Sequence, residues 1–230
     1  CEGNNIKTKI TFLILFFIVL FLCFPNSKVL AHIPHVAWEN HSNIENSHKL
    51  KSIIISQAIY QQISKSNPNS WIEFNAKSGD ILYLELGLPK LDSLSKFRPT
   101  IELISPTQKS TKFSSENIIN PTTFYEPFTQ TNSWVLFKNT IQLTEPGTYY
   151  LVSSDPQNKY GKLWIAIGRE ESFGASDLLN LPLSINDVKA FHSPNEKKSE
   201  SPKLLIISFL ICLVIILVFF RKKIVRIFSK

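Results

Sequence analysis

The chain has 230 residues and carries 25 lysines and arginines against 18 aspartates and glutamates, a formal net charge of +7 at pH 7. The surplus lies at the two ends, because residues 32–202 hold 16 basic and 17 acidic side chains. A domain without a basic surplus does not attract the nucleic-acid backbone, so we expect no nucleic-acid partner. That central part also lacks cysteine, so it must rest on its hydrophobic core instead of on disulfides.

Residues 1–31 are typical of a signal peptide. An apolar run over residues 10–24 follows two lysines, and Val29 and Ala31 are side chains that a signal peptidase accepts before its cut. We expect cleavage after Ala31. The residues around the cut are not ideal, and the alternative is an N-terminal anchor that stays uncleaved.

A second apolar run, Leu204–Phe220, is typical of a transmembrane helix. It has 17 residues without a charge, just long enough to span the hydrocarbon core of a bilayer. A basic tail, residues 221–230, follows at once and predicts a cytoplasmic C-terminus. Residues 193–203, with two prolines and alternating charges, read as a solvated stalk. We therefore expect a cell-membrane protein with a single span and an extracellular N-terminal domain.

The central region shows the two-residue period of β-strands. The most regular run places Leu82, Leu84, Leu86 and Leu88 on one face. Turn residues such as proline, glycine, asparagine and aspartate separate the runs. The predicted strands cover residues 71–74, 81–88, 99–104, 133–137, 140–143, 148–153 and 162–168. The pattern predicts an all-β fold, an antiparallel β-sandwich of the jelly-roll kind.

We expect this ectodomain to occupy residues 51–192, after a histidine-rich lead-in over residues 32–50. Two segments, Ala175–Leu179 and Ile185–Phe191, are predicted to form short helices or turns that lead the chain away from the sandwich.

Three segments resemble the bacterial pre-peptidase C-terminal domain family. They are Ser70–Phe74 with the Gly79-Asp80 turn, Glu145–Val152 with its Pro-Gly-Thr-Tyr-Tyr strand, and Gly161–Gly168. The resemblance covers roughly residues 56–168 and implies a β-sandwich. Members of that family usually accompany a secreted hydrolase, and this sequence contains no hydrolase domain. The segments Glu126–Phe128 and Glu171–Pro182 are similar to uncharacterised membrane-anchored sandwich proteins.

No catalytic residues are predicted. The Gly-x-Ser-x-Gly motif of α/β-hydrolases does not occur in the sequence. Glu170 and Glu171 are adjacent, so on an extended strand their carboxylates point in opposite directions. Asp155 and Asn158 could bind calcium, but their ordinary role in turns explains them more simply. An enzyme is therefore the less favoured interpretation.

One cluster suggests a metal site. His32, His35, His41 and His48 fall within 17 residues just after the expected cut. If His32 becomes the mature N-terminus, its α-amine and imidazole could chelate Cu(II) together with a second histidine. This arrangement is similar to the histidine brace of copper-dependent polysaccharide monooxygenases and to periplasmic copper carriers. The alternative is a polar linker that binds no cofactor.

Aromatic residues offer a second kind of site. Trp71, Trp134, Trp164, Tyr149 and Tyr150 lie on predicted strands, where an exposed row would suit sugar rings or peptides. Core packing is expected for most of them. The sequence thus favours a non-enzymatic binding or scaffolding module for an extracellular protein or glycan, with copper binding as the alternative.

Overall fold

A computed structural model describes residues 32–36, 41–172 and 174–194 of the chain. In these ranges the chain forms eleven strands, one α-helix and a turn of 3-10 helix at Asp92–Leu94. The strands are β1 (Ile33–Val36), β2 (His48–Lys49), β3 (Gln57–Ile63), β4 (Asn69–Ala76), β5 (Ile81–Pro89), β6 (Thr100–Ile104), β7 (Ser110–Ser114), β8 (Thr122–Glu126), β9 (Thr131–Gln142), β10 (Gly147–Ser154) and β11 (Gly161–Ile167). The helix is α1 (Ala175–Phe191).

The strands form two sheets. The six-stranded sheet has the order β1-β3-β11-β5-β9-β8, and the five-stranded sheet has the order β2-β4-β10-β6-β7. The predicted all-β sandwich is therefore confirmed. Neighbouring strands pair antiparallel except at one end, where β1 pairs parallel with β3 and β2 pairs parallel with β4. The first two strands of the described region thus add one strand to each sheet at the same end of the sandwich.

The inner faces of the two sheets enclose the main core. Leu82, Leu84, Leu86 and Leu88 of β5 are all fully buried, as the alternating pattern predicts. From the facing sheet, Ile72, Phe74, Tyr149 and Leu151 close the core, and the Phe74 and Tyr149 rings stack with centroids 5.5 Å apart. Burial of apolar surface in this core stabilises the packing of the two sheets on each other.

Helix α1 covers the outer face of the six-stranded sheet. Val188 and Phe191 are buried there against Tyr60 and Trp164. The Trp164 indole lies over Gly87, where a Cβ would come within 2.1 Å of the ring. Covering on this side explains why β3 and β11 are buried on both faces and do not alternate.

The prediction of two short segments leading away from the sandwich is therefore wrong. The chain forms one 17-residue helix, which contains Pro182 in its interior and packs on the sheet. An internal proline costs a helix about 3 kcal/mol. Burial of two large side chains in the C-terminal half outweighs that cost.

The remaining predictions differ from the structure in detail or concern residues that it does not describe. The segments 133–137 and 140–143 are parts of one long strand, β9, because its middle residues continue the pairing with β5. Within the described ranges, no helix is long and apolar enough to cross a membrane. The expected signal peptide, the transmembrane segment 204–220 and the basic tail lie outside the described residues.

Candidate functional site

The N-terminal strands bring two histidines to the open edge between the sheets. His35 on β1 lies opposite Ile59, and His48 on β2 lies opposite Ile72. Both isoleucines are fully buried between the sheets. Paired residues in a sheet share a face, so both histidines point inward from opposite sheets. They therefore meet at the edge where the sandwich has no further strand to close it.

A third histidine joins them from the connecting loop. The ring centroids of His35 and His48 are 5.7 Å apart, and those of His41 and His48 are 5.3 Å apart. His48 thus lies between the other two. We call this group, His35, His41 and His48, the histidine seam. Each of its members is half-buried, so the seam lines the edge without being sealed in the core.

Hydrogen bonds fix the loop that carries His41. The His41 Nδ1–H donates to the Asn46 carbonyl at 2.6 Å, so the lone pair of that ring is on Nε2. The His41 carbonyl accepts from the Trp71 backbone N–H at 2.7 Å, which ties the loop to β4. Asn43 and Asn46 close the turn by accepting each other's backbone N–H groups. The loop therefore holds His41 beside the two edge strands.

Two members of the seam, His35 and His48, favour the neutral imidazole. Burial lowers the pKa of His48 to about 4, and the neighbouring His35 and His41 lower it further in the same direction. Burial also lowers the pKa of His35, although the Asp177 carboxylate opposes the shift. A neutral imidazole keeps a lone pair on one ring nitrogen, which is the form that binds metal ions.

The seam does not have the geometry of a loaded metal centre. In the part of the chain that the structure describes, no three histidine, cysteine or acidic side chains have their donor atoms gathered at one point. The neighbouring ring centroids are 5.3 and 5.7 Å apart, so metal binding at the seam would require these side chains to rotate. The arrangement is a cluster of three neighbouring imidazole rings.

The structure separates His32 from the seam. Burial lowers the pKa of His32, while its electrostatic neighbours are Glu85, Lys138 and Glu171. Glu85 is buried on the outer face of the six-stranded sheet, where it accepts from the Tyr83 hydroxyl at 2.5 Å and pairs with Lys138 at 3.1 Å. Of the four predicted ligands, the structure therefore gathers three and directs the fourth to this acidic residue.

A small cavity lies beside the seam. It measures about 180 Å³ and is bounded by β1, including His35, and by the start of helix α1. Asp177 lines the helix side, where its carboxylate accepts the Gly174 backbone N–H at 2.8 Å. The cavity therefore brings one carboxylate close to the β1 side of the seam.

The sequence did not indicate a second histidine network. His192 donates from Nδ1 to the Val188 carbonyl at 2.9 Å and accepts the Ser133 hydroxyl at Nε2, 3.0 Å away. The Ser133 oxygen also accepts the Trp164 indole N–H at 3.0 Å. A serine beside a histidine suggests a nucleophile, but Ser133 is buried and does not line the adjacent cavity of about 440 Å³. The network instead attaches helix α1 to the sheet.

The other predicted features have structural roles. Asp155 is buried and accepts the backbone N–H groups of Gln157 and Lys159, which fits the turn interpretation. The backbones of Glu170 and Ile55 form an isolated β-bridge just before the start of β3. Tyr149 and Tyr150 face opposite sides of β10, as expected.

Most of the aromatic residues belong to the interior. Tyr149 and Trp164 are buried, and Trp134 packs against the main core. Trp71 and Tyr150 remain half-exposed on the outer face of the five-stranded sheet, with their planes at 71°. That edge-to-face arrangement does not form a flat platform for a sugar ring.

Comparisons with known proteins give neither a family nor a function. No known family model matches the sequence, and no curated protein matches it either. The sandwich fold therefore rests on the strand pairing described above.

Three solved structures show distant likeness. The chain is 12% identical to the pre-peptidase C-terminal domain of a collagenase from Bacillus anthracis, covering 52% of this chain and 91% of that one at a TM-score of 0.32. It is 9% identical to PliG, a periplasmic inhibitor of g-type lysozyme from Aeromonas hydrophila, covering 53% and 94% at a TM-score of 0.32. It is 10% identical to CorA, a surface-associated copper-binding protein of Methylomicrobium album BG8, covering 54% and 98% at a TM-score of 0.28. Scores this low support no conclusion about function.

Proposed function

We propose that the domain is a non-enzymatic binding module that binds Cu(II) at the histidine seam. The observation that carries this proposal is the convergence of three imidazole rings from two sheets and a loop, with centroids 5.3 and 5.7 Å apart. A polar linker that binds no ligand does not predict three histidines together at one sheet edge. Three neighbouring half-buried imidazoles, with Asp177 as the acidic neighbour of His35, form a nitrogen-rich site.

The chemistry of the seam favours copper over harder cations. Imidazole nitrogen suits copper, zinc and nickel, whereas calcium and magnesium prefer oxygen ligands. Among the divalent ions of the first transition row, Cu(II) binds a given nitrogen site most tightly. In this proposal the copper site lies at the seam, whereas the sequence suggested chelation by the N-terminal residue His32.

Binding requires a local rearrangement. The His41 ring can bind through Nε2 while it keeps its hydrogen bond to Asn46. His35 and His48 lie on different sheets, so an ion held by both would link β1 to β2 across the open edge. Bound copper should therefore raise the free energy of unfolding of the sandwich, because a ligand that binds only the folded state stabilises that state.

The proposed location suggests a role for copper binding. Residues 204–220 and the basic tail support a single membrane span with the sandwich outside the cell. A copper site on such a domain would capture the ion at the membrane surface, ahead of a transporter or carrier.

A titration with matched variants tests the proposal. The full chain in detergent is titrated with Cu(II), followed by calorimetry and by electron paramagnetic resonance. We expect about one ion per chain with nitrogen hyperfine structure, and at least a tenfold loss of affinity in each of His35→Ala, His41→Ala and His48→Ala. His32→Ala is the matched control and should bind copper normally.

Two results would contradict the proposal. If His32→Ala loses copper while the seam variants keep it, the ion binds at an N-terminal brace. If the triple seam variant binds as tightly as the unaltered chain, the seam is not a metal site.

A further inference from the structure

The two sheets of the sandwich differ in width by one strand. The six-stranded sheet ends in β8, whereas the five-stranded sheet ends in β7. Four of the five residues of β8 are exposed, and the strand pairs only with β9 among the described residues. Its other edge therefore presents unpaired backbone N–H and C=O groups to solvent.

The exposed side chains around this edge are apolar to an unusual degree. Phe124 and Tyr125 lie on β8 itself and are 39% and 52% exposed. Ile119, before the strand, is 84% exposed, and Phe128, after it, is 44% exposed. Phe124 and Tyr125 are neighbours on a strand and therefore point to opposite faces of the sheet, so each face of this edge carries one large exposed aromatic ring.

The other three sheet edges are protected in familiar ways. The middle residue of β7 is Lys112, a charge that discourages pairing with another strand. Strand β2 has only two residues, and β1 is flanked by helix α1. β8 contains neither lysine nor proline, and its only charge is Glu126 at its end. It is the unprotected edge among the four.

The sequence of β8 complements itself. If two copies pair antiparallel about a two-fold axis at Phe124, the two Phe124 residues lie opposite each other. Glu126 then faces Thr122 of the second copy, so no like charges meet. Thr123 faces the second Tyr125, and the Lys90 Nζ, 3.5 Å from the Thr123 hydroxyl, lies on the side of that ring. This register keeps like charges apart and places the two Phe124 rings opposite each other at the axis.

We propose that the protein forms a two-fold dimer in which the β8 strands pair and the two six-stranded sheets become one continuous sheet. The partner is a second copy of this chain. Five-residue strands bury a small area, so the dimer is a reversible one that depends on concentration.

Sedimentation equilibrium of the full chain in density-matched detergent tests the association. We expect a monomer–dimer equilibrium whose dissociation constant rises at least about tenfold in Phe124→Lys, because two lysines would face each other at the axis. Thr111→Lys, on the exposed edge strand β7 of the other sheet, is the matched control and should leave the constant unchanged.

Cross-linking tests the register. In a background with the three native cysteines replaced by serine, Phe124→Cys should form a disulfide-linked dimer on mild oxidation, since facing residues lie within disulfide range. Thr122→Cys should not, because the two copies of residue 122 would lie about 13 Å apart. A monomer at all concentrations, a dimer that tolerates Phe124→Lys, or binding of an unrelated extended peptide at β8 by a monomer would each overturn the proposal.

Discussion

At the scale of single residues, the hydrogen bonds of His192 require a neutral imidazole. Its Nδ1–H donates to the Val188 carbonyl and its Nε2 accepts from Ser133, so protonation would remove the acceptor. Burial lowers the pKa of His192 to about 4, and Lys162 lowers it further, against a raising effect of the Val188 carbonyl. Lys90 and Lys189 line the cavity beside His192 and add positive charge, while the Tyr60 ring packs from β3.

The first prediction concerns stability against pH. The folded pKa of His192, about 4, lies below the ordinary value of 6.5 that applies to the unfolded chain. Between these two pH values the unfolded chain therefore binds more protons than the folded chain. The contribution of His192 to the free energy of unfolding is thus complete above pH 6.5 and is lost as the pH falls toward 4. The expected slope is at most about 1.4 kcal/mol per pH unit for this group.

Urea denaturation at a series of pH values measures this slope. His192→Asn removes the titrating group, so the variant should be less stable near pH 7 and should show a shallower slope between pH 6.5 and 4. Equal slopes in the variant and the unaltered chain would mean that other groups carry the acid sensitivity.

At the scale of elements, helix α1 depends on its C-terminal half. Phe191 is only 2% exposed and packs edge-to-face on Tyr60, with centroids 5.2 Å apart. The Lys162 Nζ lies 5.5 Å from the Phe191 ring and donates to the Ser193 carbonyl at 3.1 Å. A cation at this place also suits the negative end of the helix dipole. The helix is therefore attached at its last turn.

The second prediction removes that attachment. Phe191→Ala should lower the free energy of unfolding by about 3 kcal/mol, because the ring leaves a cavity beneath the helix. Lys189→Ala, exposed on the same helix, should change it by less than about 0.5 kcal/mol. Chemical denaturation of both variants gives the comparison, and a similar loss in each would show that the packing of Phe191 is not what holds the helix.

The elements also show what the sequence could and could not predict. Strands whose apolar residues alternate in the sequence, such as β4, β5 and β10, show the two-residue period and were predicted near their true bounds. β7 and β8 were missed because both are largely exposed and have no apolar period. The histidine cluster was visible in the sequence. Its division into three seam residues and His32 was not, because it depends on β1 and β2 joining different sheets.

At the scale of the whole molecule, the expected arrangement is a sandwich outside a membrane and a basic tail inside. The described domain contains no cysteine and is held by its core and by helix α1. Charged residues beyond Phe220 set the predicted orientation.

The third prediction tests that orientation. Protease added to intact cells should remove the sandwich domain and leave a protected fragment that contains residues 221–230, detected by a C-terminal epitope tag. A domain that is cleaved only after the cells are permeabilised would mean that the proposed orientation is wrong.

The attachment at the last turn of helix α1 also has a mechanical consequence. Tension applied at residue 194 passes first through His192 and Phe191, whose hydrogen bonds and ring contacts attach the last turn of the helix to the sheet. The load therefore falls on buried contacts before it reaches the rest of the helix. A helix loaded in this way would resist weak pulling and detach abruptly above a threshold force.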